Sequence, residues 1–211
     1  MSFRVLSSQV PGADTLLIAL PGLRVVPEDF SGLIQTLQTE SRVDAAAIGI
    51  GPNDYLERSF PETLHRVIEP LRTRYARLIF LALSLGALGA LRYIQLFPDL
   101  DGLILLAPFL GNPGTIAEIE RAGGFARWAP PPLNPSDIER PGLLWLKSRP
   151  TRPWLHLAYG EEDRFATGAR LLAATLPPEA VTTAPGDHDW PSWTRLWAAM
   201  LQRLAAQNLL G

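Results

Sequence analysis

The stretch LALSLGALGALRYI, Leu81–Ile94, decides the fold. It opens as an apolar run of strand length and continues as small and apolar residues of helical length, with no charge before Arg92. A single hydroxyl, Ser84, stands at the joint, two residues before Gly86. A strand passing directly into a helix belongs to a parallel sheet, and its turn can expose the hydroxyl at the sheet's carboxyl edge, where ligands bind. Ala82 and Gly86 flank Ser84 at two residues' distance and leave room for neighbouring backbone. Ala87, Gly89 and Ala90 then let the helix lie close on the sheet. The pattern is that of a nucleophile elbow, G-x-S-x-G, with alanine in place of the first glycine. The alternative is a serine N-cap on a buried helix.

Outward from this joint, apolar runs recur. TLLIAL (Thr15–Leu20), VDAAAIGI (Val43–Ile50), RLIFLAL (Arg77–Leu83), GLILLAP (Gly102–Pro108) and WLHLAYG (Trp154–Gly160) are nearly continuous rather than alternating. That is the mark of strands buried on both faces of a parallel sheet. AVTTAP (Ala180–Pro185) is a weaker sixth strand, and FRVLSS near the N-terminus fits an edge strand. Between the runs lie helical patterns. EDFSGLIQTLQTES places Phe30, Leu33, Ile34 and Leu37 on one face, and RFATGARLLAATL and WTRLWAAMLQRLAAQ are amphipathic. PETLHRVIEPLRTRY is helical too, with Pro70 predicting a break or kink. The alternation defines an α/β domain with helices on both sheet faces.

The segment 112–153 breaks the rhythm. Seven of the chain's 20 prolines fall between positions 130 and 153, and a single crossover helix would suffice there. It reads as a decorated crossover or as a lid, since long loops in compact domains often serve function.

The remaining composition narrows the classes. A chain of 211 residues with 47% hydrophobic and 19% charged residues supports one globular domain. Its 19 basic and 21 acidic side chains give a net charge of −2, with no basic footprint for nucleic acid or a membrane surface. There is no cysteine, so disulfides, thiolate chemistry and cysteine-ligated metals are excluded. No apolar stretch suits a membrane span or a signal peptide, and the expected location is the cytoplasm. No Lys or Arg cluster suggests a phosphate or coenzyme A site.

A serine nucleophile needs a base, and the base an orienting acid. The chain has three histidines. His65 precedes Ser84 in an amphipathic helix and reads as a surface or interface residue. His156 lies mid-strand and reads as a satisfied core residue. His188, in PGDHDWPSW, falls in the loop after the last strand, where a base must sit to reach Ser84. The acid belongs after the preceding strand, where YGEEDRF offers Glu161, Glu162 and Asp163. Asp163 stands where the chain turns into a helix, 25 residues before His188. It also suits a helix cap, and His188 alone would suit a solvated loop. Backbone N–H groups of Leu85, after the serine, and Leu23, after Pro21-Gly22, are the candidate oxyanion donors. Asp54, Tyr55, Trp128, Trp145 and Trp190 are candidate substrate contacts, while Trp154 and Trp197 suit core packing.

With LPGLRVVPEDF, LSLGALGAL, DGLILLAPFLG, YGEEDRF and GDHDWPSWTRLW in place, nearly the whole chain resembles the α/β-hydrolase superfamily, in particular its small bacterial members. The resemblance implies a three-layer α/β-hydrolase fold of six or seven mostly parallel strands with a reduced N-terminal strand region. It implies a nucleophile at Ser84, an acid at Asp163, a base at His188 and backbone donors at Leu23 and Leu85. The expected activity is hydrolysis of a small-molecule ester or thioester without metal or cofactor. An acyltransferase and a non-catalytic binding protein on the same fold are the alternatives. Ala82 and Ala87 depart from the glycines commoner around the elbow.

Overall fold

Seven strands build one sheet in the computed structural model, which describes residues 4–148 and 151–210. They are Arg4–Ser8 (β1), Thr15–Leu20 (β2), Val43–Gly49 (β3), Arg77–Leu83 (β4), Gly102–Leu106 (β5), Trp154–Gly160 (β6) and Val181–Ala184 (β7). Their order across the sheet is β1-β3-β2-β4-β5-β6-β7. Only β1 runs antiparallel, paired with β3, and it is largely exposed. The other strands are parallel. The buried strands β2 and β4 are adjacent and parallel, so the loops at their carboxyl ends lie side by side.

The two faces of the sheet are covered by different helices. Alternation along β4 sends Leu78, Phe80 and Ala82 to one core and Ile79, Leu81 and Leu83 to the other. The first core takes Phe60–Arg72 (α2), Gly86–Leu96 (α3), Pro113–Arg121 (α4), Arg140–Ser148 (α5) and Ala166–Ala173 (α6). The second takes Ser31–Glu40 (α1) and Trp190–Ala206 (α7). On α7 the buried residues Trp193, Leu196, Trp197, Met200, Leu201 and Leu204 recur at three and four, as one helical face requires. The Trp197 indole donates to the Leu33 carbonyl at 2.8 Å and ties α7 to α1.

Two expectations are corrected. The helix α2 runs through Pro70 without a break. The proline sits in its last turn, and the carbonyl it leaves without a donor belongs to exposed Arg66, which water can serve. His156 is buried at 2% exposure, yet its Nδ1 has no partner, and burial lowers its pKa. His65 is half-buried, stacked on Phe97 at 3.9 Å.

The segment after β5 contributes to the core. Ile119, Phe125, Trp128, Leu143 and Leu146 are all buried in it. Trp128 donates its indole N–H to Glu118 at 2.8 Å, and Arg140 bridges Glu118 and Asp137. No helix among the described residues is long and apolar enough to cross a membrane.

Candidate active site

Four loops at the carboxyl edge of the sheet carry the sequence's candidate residues, one each after β2, β4, β6 and β7. Ser84 follows β4 with a φ of 52°, a left-handed conformation that an L-residue adopts at a cost of about 1–3 kcal/mol. The turn is held from both sides. The Ser84 N–H donates to Leu106 at 3.0 Å, and the Ser84 carbonyl accepts from Phe109 at 2.9 Å and from Ala87 at 3.1 Å. Sterics explain the small residues. A Cβ on Gly86 would stand 2.9 Å from the Leu20 carbonyl carbon, and one on Gly22 would stand 2.9 Å from the Ser84 Cβ. Ala82 is fully buried under the turn.

The Ser84 hydroxyl lies 2.9 Å from His188 Nε2, and His188 Nδ1 lies 2.7 Å from Asp163 Oδ2. The His188 and Asp163 side chains are 6% and 1% exposed, so solvent scarcely reaches the contact between them. Asp163 also accepts from the Phe165 N–H at 2.8 Å, so one carboxylate both orients the ring and caps the turn into α6. The imidazole is boxed edge-on by Phe165 at 4.9 Å and Trp193 at 5.1 Å. The Trp193 indole nitrogen is buried without a partner.

The competing carboxylates are occupied elsewhere. Asp189 caps α7 by accepting from Ser192 N–H at 2.9 Å, and hydrogen bonding from the Ser192 side chain and backbone lowers its pKa. Glu162 accepts from the Gly186 N–H. Glu162 N–H in turn donates to the Gly186 carbonyl at 3.2 Å, and Glu161 N–H to Ala184 at 3.0 Å, which knits the loops after β6 and β7 together.

Leu23 and Leu85 flank the hydroxyl, and neither backbone N–H donates to any group among the described residues. A cleft of about 400 Å³ opens here, lined by Gly22, Leu23, Val25, Ser84, His188 and Trp193. Arg24 and Arg164 line it as well. Sequence reading missed these two because 140 positions separate them and neither belongs to a cluster of basic residues. The only signal was that each follows a strand's carboxyl end.

The candidate substrate contacts fare differently. Tyr55 is not on a rim: it is fully buried against Gly89 and Phe60, which raises its phenol pKa well above the ordinary value. Its hydroxyl donates to the Pro21 carbonyl at 2.7 Å. Asp54 accepts from Gly51 N–H at 2.8 Å and closes a local turn. Trp128 lies in the core, 1% exposed, and Trp145 packs half-buried against the same core. Trp190 stands edge-on to Trp193 at 5.0 Å, one ring removed from His188. No group of three or more metal-ligating side chains occurs among the described residues.

Sheet order, layer arrangement and elbow together are those of the α/β-hydrolase fold, and solved structures agree. The chain resembles a monoacylglycerol lipase from Paleococcus ferrophilus with a TM-score of 0.65 at 17% identity, over 98% of this chain and 99% of that one. Est1E from Butyrivibrio proteoclasticus, solved with ferulic acid bound, gives 0.67 at 13% identity, over 99% and 96%. FphF, a fluorophosphonate-binding serine hydrolase of Staphylococcus aureus, gives 0.61 at 12% identity, over 100% and 98%. No protein-family profile and no curated protein matches the chain.

Proposed function

We propose that this protein is a serine hydrolase that cleaves a carboxylic ester or thioester of a small molecule through an acyl-enzyme on Ser84. The observation that carries the reading is the unbroken line of short contacts from Ser84 Oγ to His188 Nε2 and from His188 Nδ1 to Asp163.

In this mechanism Asp163 accepts a hydrogen bond from His188 Nδ1–H and fixes the tautomer that leaves Nε2 as base. Ser84 Oγ attacks the carbonyl carbon while its proton passes to Nε2. The carbonyl electron pair moves to oxygen, where the Leu23 and Leu85 N–H groups receive the charge. The Leu85 N–H stands at the amino end of α3, whose dipole favours the same charge. Collapse expels the alkoxide or thiolate, which takes the proton from the imidazolium. Water, deprotonated by the same nitrogen, then releases the acid. In this reading α4 and the residues after it form a fixed wall beside the cleft rather than a moving lid, because their apolar side chains are core residues.

Labelling with a fluorophosphonate tests the reading. One equivalent should attach to the wild-type protein and none to Ser84→Ala. A panel of acyl nitrophenyl esters, with and without added alcohol, separates hydrolysis from acyl transfer. A wild-type protein that takes no label and turns over no ester would end it.

A further inference from the structure

The two guanidinium groups at the Ser84 cleft have nothing to neutralise them. Among the described residues neither Arg24 nor Arg164 has a hydrogen bond or an ion pair, and no Asp or Glu lines the cleft. Arg164 lies over the Phe165 ring at 4.9 Å, and that ring abuts His188, so the cation is held beside the imidazole. A second cavity of about 240 Å³ also touches Arg164, and that one is lined by Glu120 as well.

Arg24 is held there at a cost. The Val25 N–H bonds to the Gly22 carbonyl at 3.3 Å, closing a turn with Leu23 and Arg24 at its centre. Arg24 has a φ of 61° at the third position, which glycine or asparagine normally takes. A long branched cation in that place loses conformational energy that glycine would keep. Strain of this kind persists where the side chain serves a site.

We propose that the substrate carries an anionic group, a carboxylate or phosphate, beside its scissile ester, and that Arg24 and Arg164 bind it. The ester half of the proposal rests on the hydrolase reading; the anionic half rests on the arginine pair. Guanidinium groups match both anions through paired N–H donors. A cleft lined by one sign of charge also concentrates such substrates.

Two arms test it. In the first, 4-nitrophenyl hemiglutarate is compared with the neutral 4-nitrophenyl valerate. The wild-type protein should prefer the anionic ester by about tenfold in kcat/KM, and the preference should shrink as salt rises. Arg24→Ala and Arg164→Ala should each reduce the ratio by about fivefold. Arg24→Gly should do the same with an equal or higher Tm, which a structural role for the side chain would not allow. Equal kcat/KM for both esters in the wild type, or an unchanged ratio in the arginine variants, overturns the proposal.

The second arm needs no turnover. Monomethyl glutarate, methyl valerate and inorganic phosphate are titrated calorimetrically into the wild-type protein and both alanine variants. Arginine-dependent binding of monomethyl glutarate or phosphate, weakened by salt, supports the proposal, and the stronger of the two names the anion. Absence of such binding overturns it. Absence of fluorophosphonate labelling with anion binding intact would instead remove the hydrolase reading alone.

Discussion

The Tyr55 hydroxyl donates to the Pro21 carbonyl at 2.7 Å, one residue before the glycine that packs on Ser84. The tyrosine is fully buried and does not itself line the cleft. Its contact fixes the direction of the peptide that leads to Leu23 N–H. Tyr55→Phe keeps the ring against Gly89 and removes that single bond. The expected result is a stability loss of about 1–2 kcal/mol from the unpaired carbonyl. The expected kinetic result is a fall of roughly tenfold in kcat with KM nearly unchanged, because an oxyanion donor acts on the transition state. Denaturant titration and steady-state kinetics on one ester check both.

Strain at the elbow gives a second expectation. Ser84→Ala and Ser84→Gly both lose the hydroxyl, and both should lose several orders of magnitude in ester hydrolysis. They differ in backbone. Glycine relieves the left-handed φ of 52° and alanine does not. The glycine variant should therefore be more stable than the alanine variant by about 1 kcal/mol. Equal midpoints in urea would mean the turn is unstrained.

Asp163 is the acid that meets the ring, and its neighbours hold backbone. Asp163→Asn keeps the shape but favours the wrong imidazole tautomer, at a cost on the order of a thousandfold or more in kcat. Asp189→Asn keeps a capping oxygen on α7, and Glu162→Gln keeps an acceptor for Gly186. Both should stay within about tenfold of wild type. A full-activity Asp163→Asn variant would refute the assignment.

The Glu118–Arg140 pair predicts a pH dependence. Hydrogen bonding from Arg140 holds the Glu118 carboxyl below the usual range. A lowered folded-state pKa contributes stability above the unfolded value, near 4.3, and loses it as pH falls through the folded value. Glu118→Gln should cost about 1 kcal/mol at pH 7, and the gap to wild type should close below about pH 4. Trp128, bonded to the same carboxylate, supplies the fluorescence signal.

Local sequence carried much of this architecture. Strands buried on both faces announce themselves as unbroken apolar runs, and even the exposed β1 was legible from FRVLSS. That Ser84, Asp163 and His188 would meet at one edge of the sheet was legible because each follows a strand's end. Tyr55 and Trp128 were not. An aromatic after a strand looks the same whether it faces a cleft or a glycine on α3, and only packing decides. Pro70 misled because a proline's effect depends on its distance from the helix end. That Arg24 and Arg164 line one cleft follows from the arrangement of the strands, which no local pattern encodes.

The loops after β6 and β7 are bonded to each other, while Ser84 is bonded to β5 and the loop that follows it. Asp163 and His188 thus travel as one body, and Ser84 belongs to another. The strand behind that first body, β7, has four residues and one neighbour. Local opening should begin at such an edge before the sheet's centre yields. The first distance to fail is then Ser84 to His188, with the imidazole still clasped by its carboxylate. Under mild urea the proposed ester hydrolysis would stop while the circular dichroism stayed native, and recovery on dilution would be as fast as a short strand can re-pair.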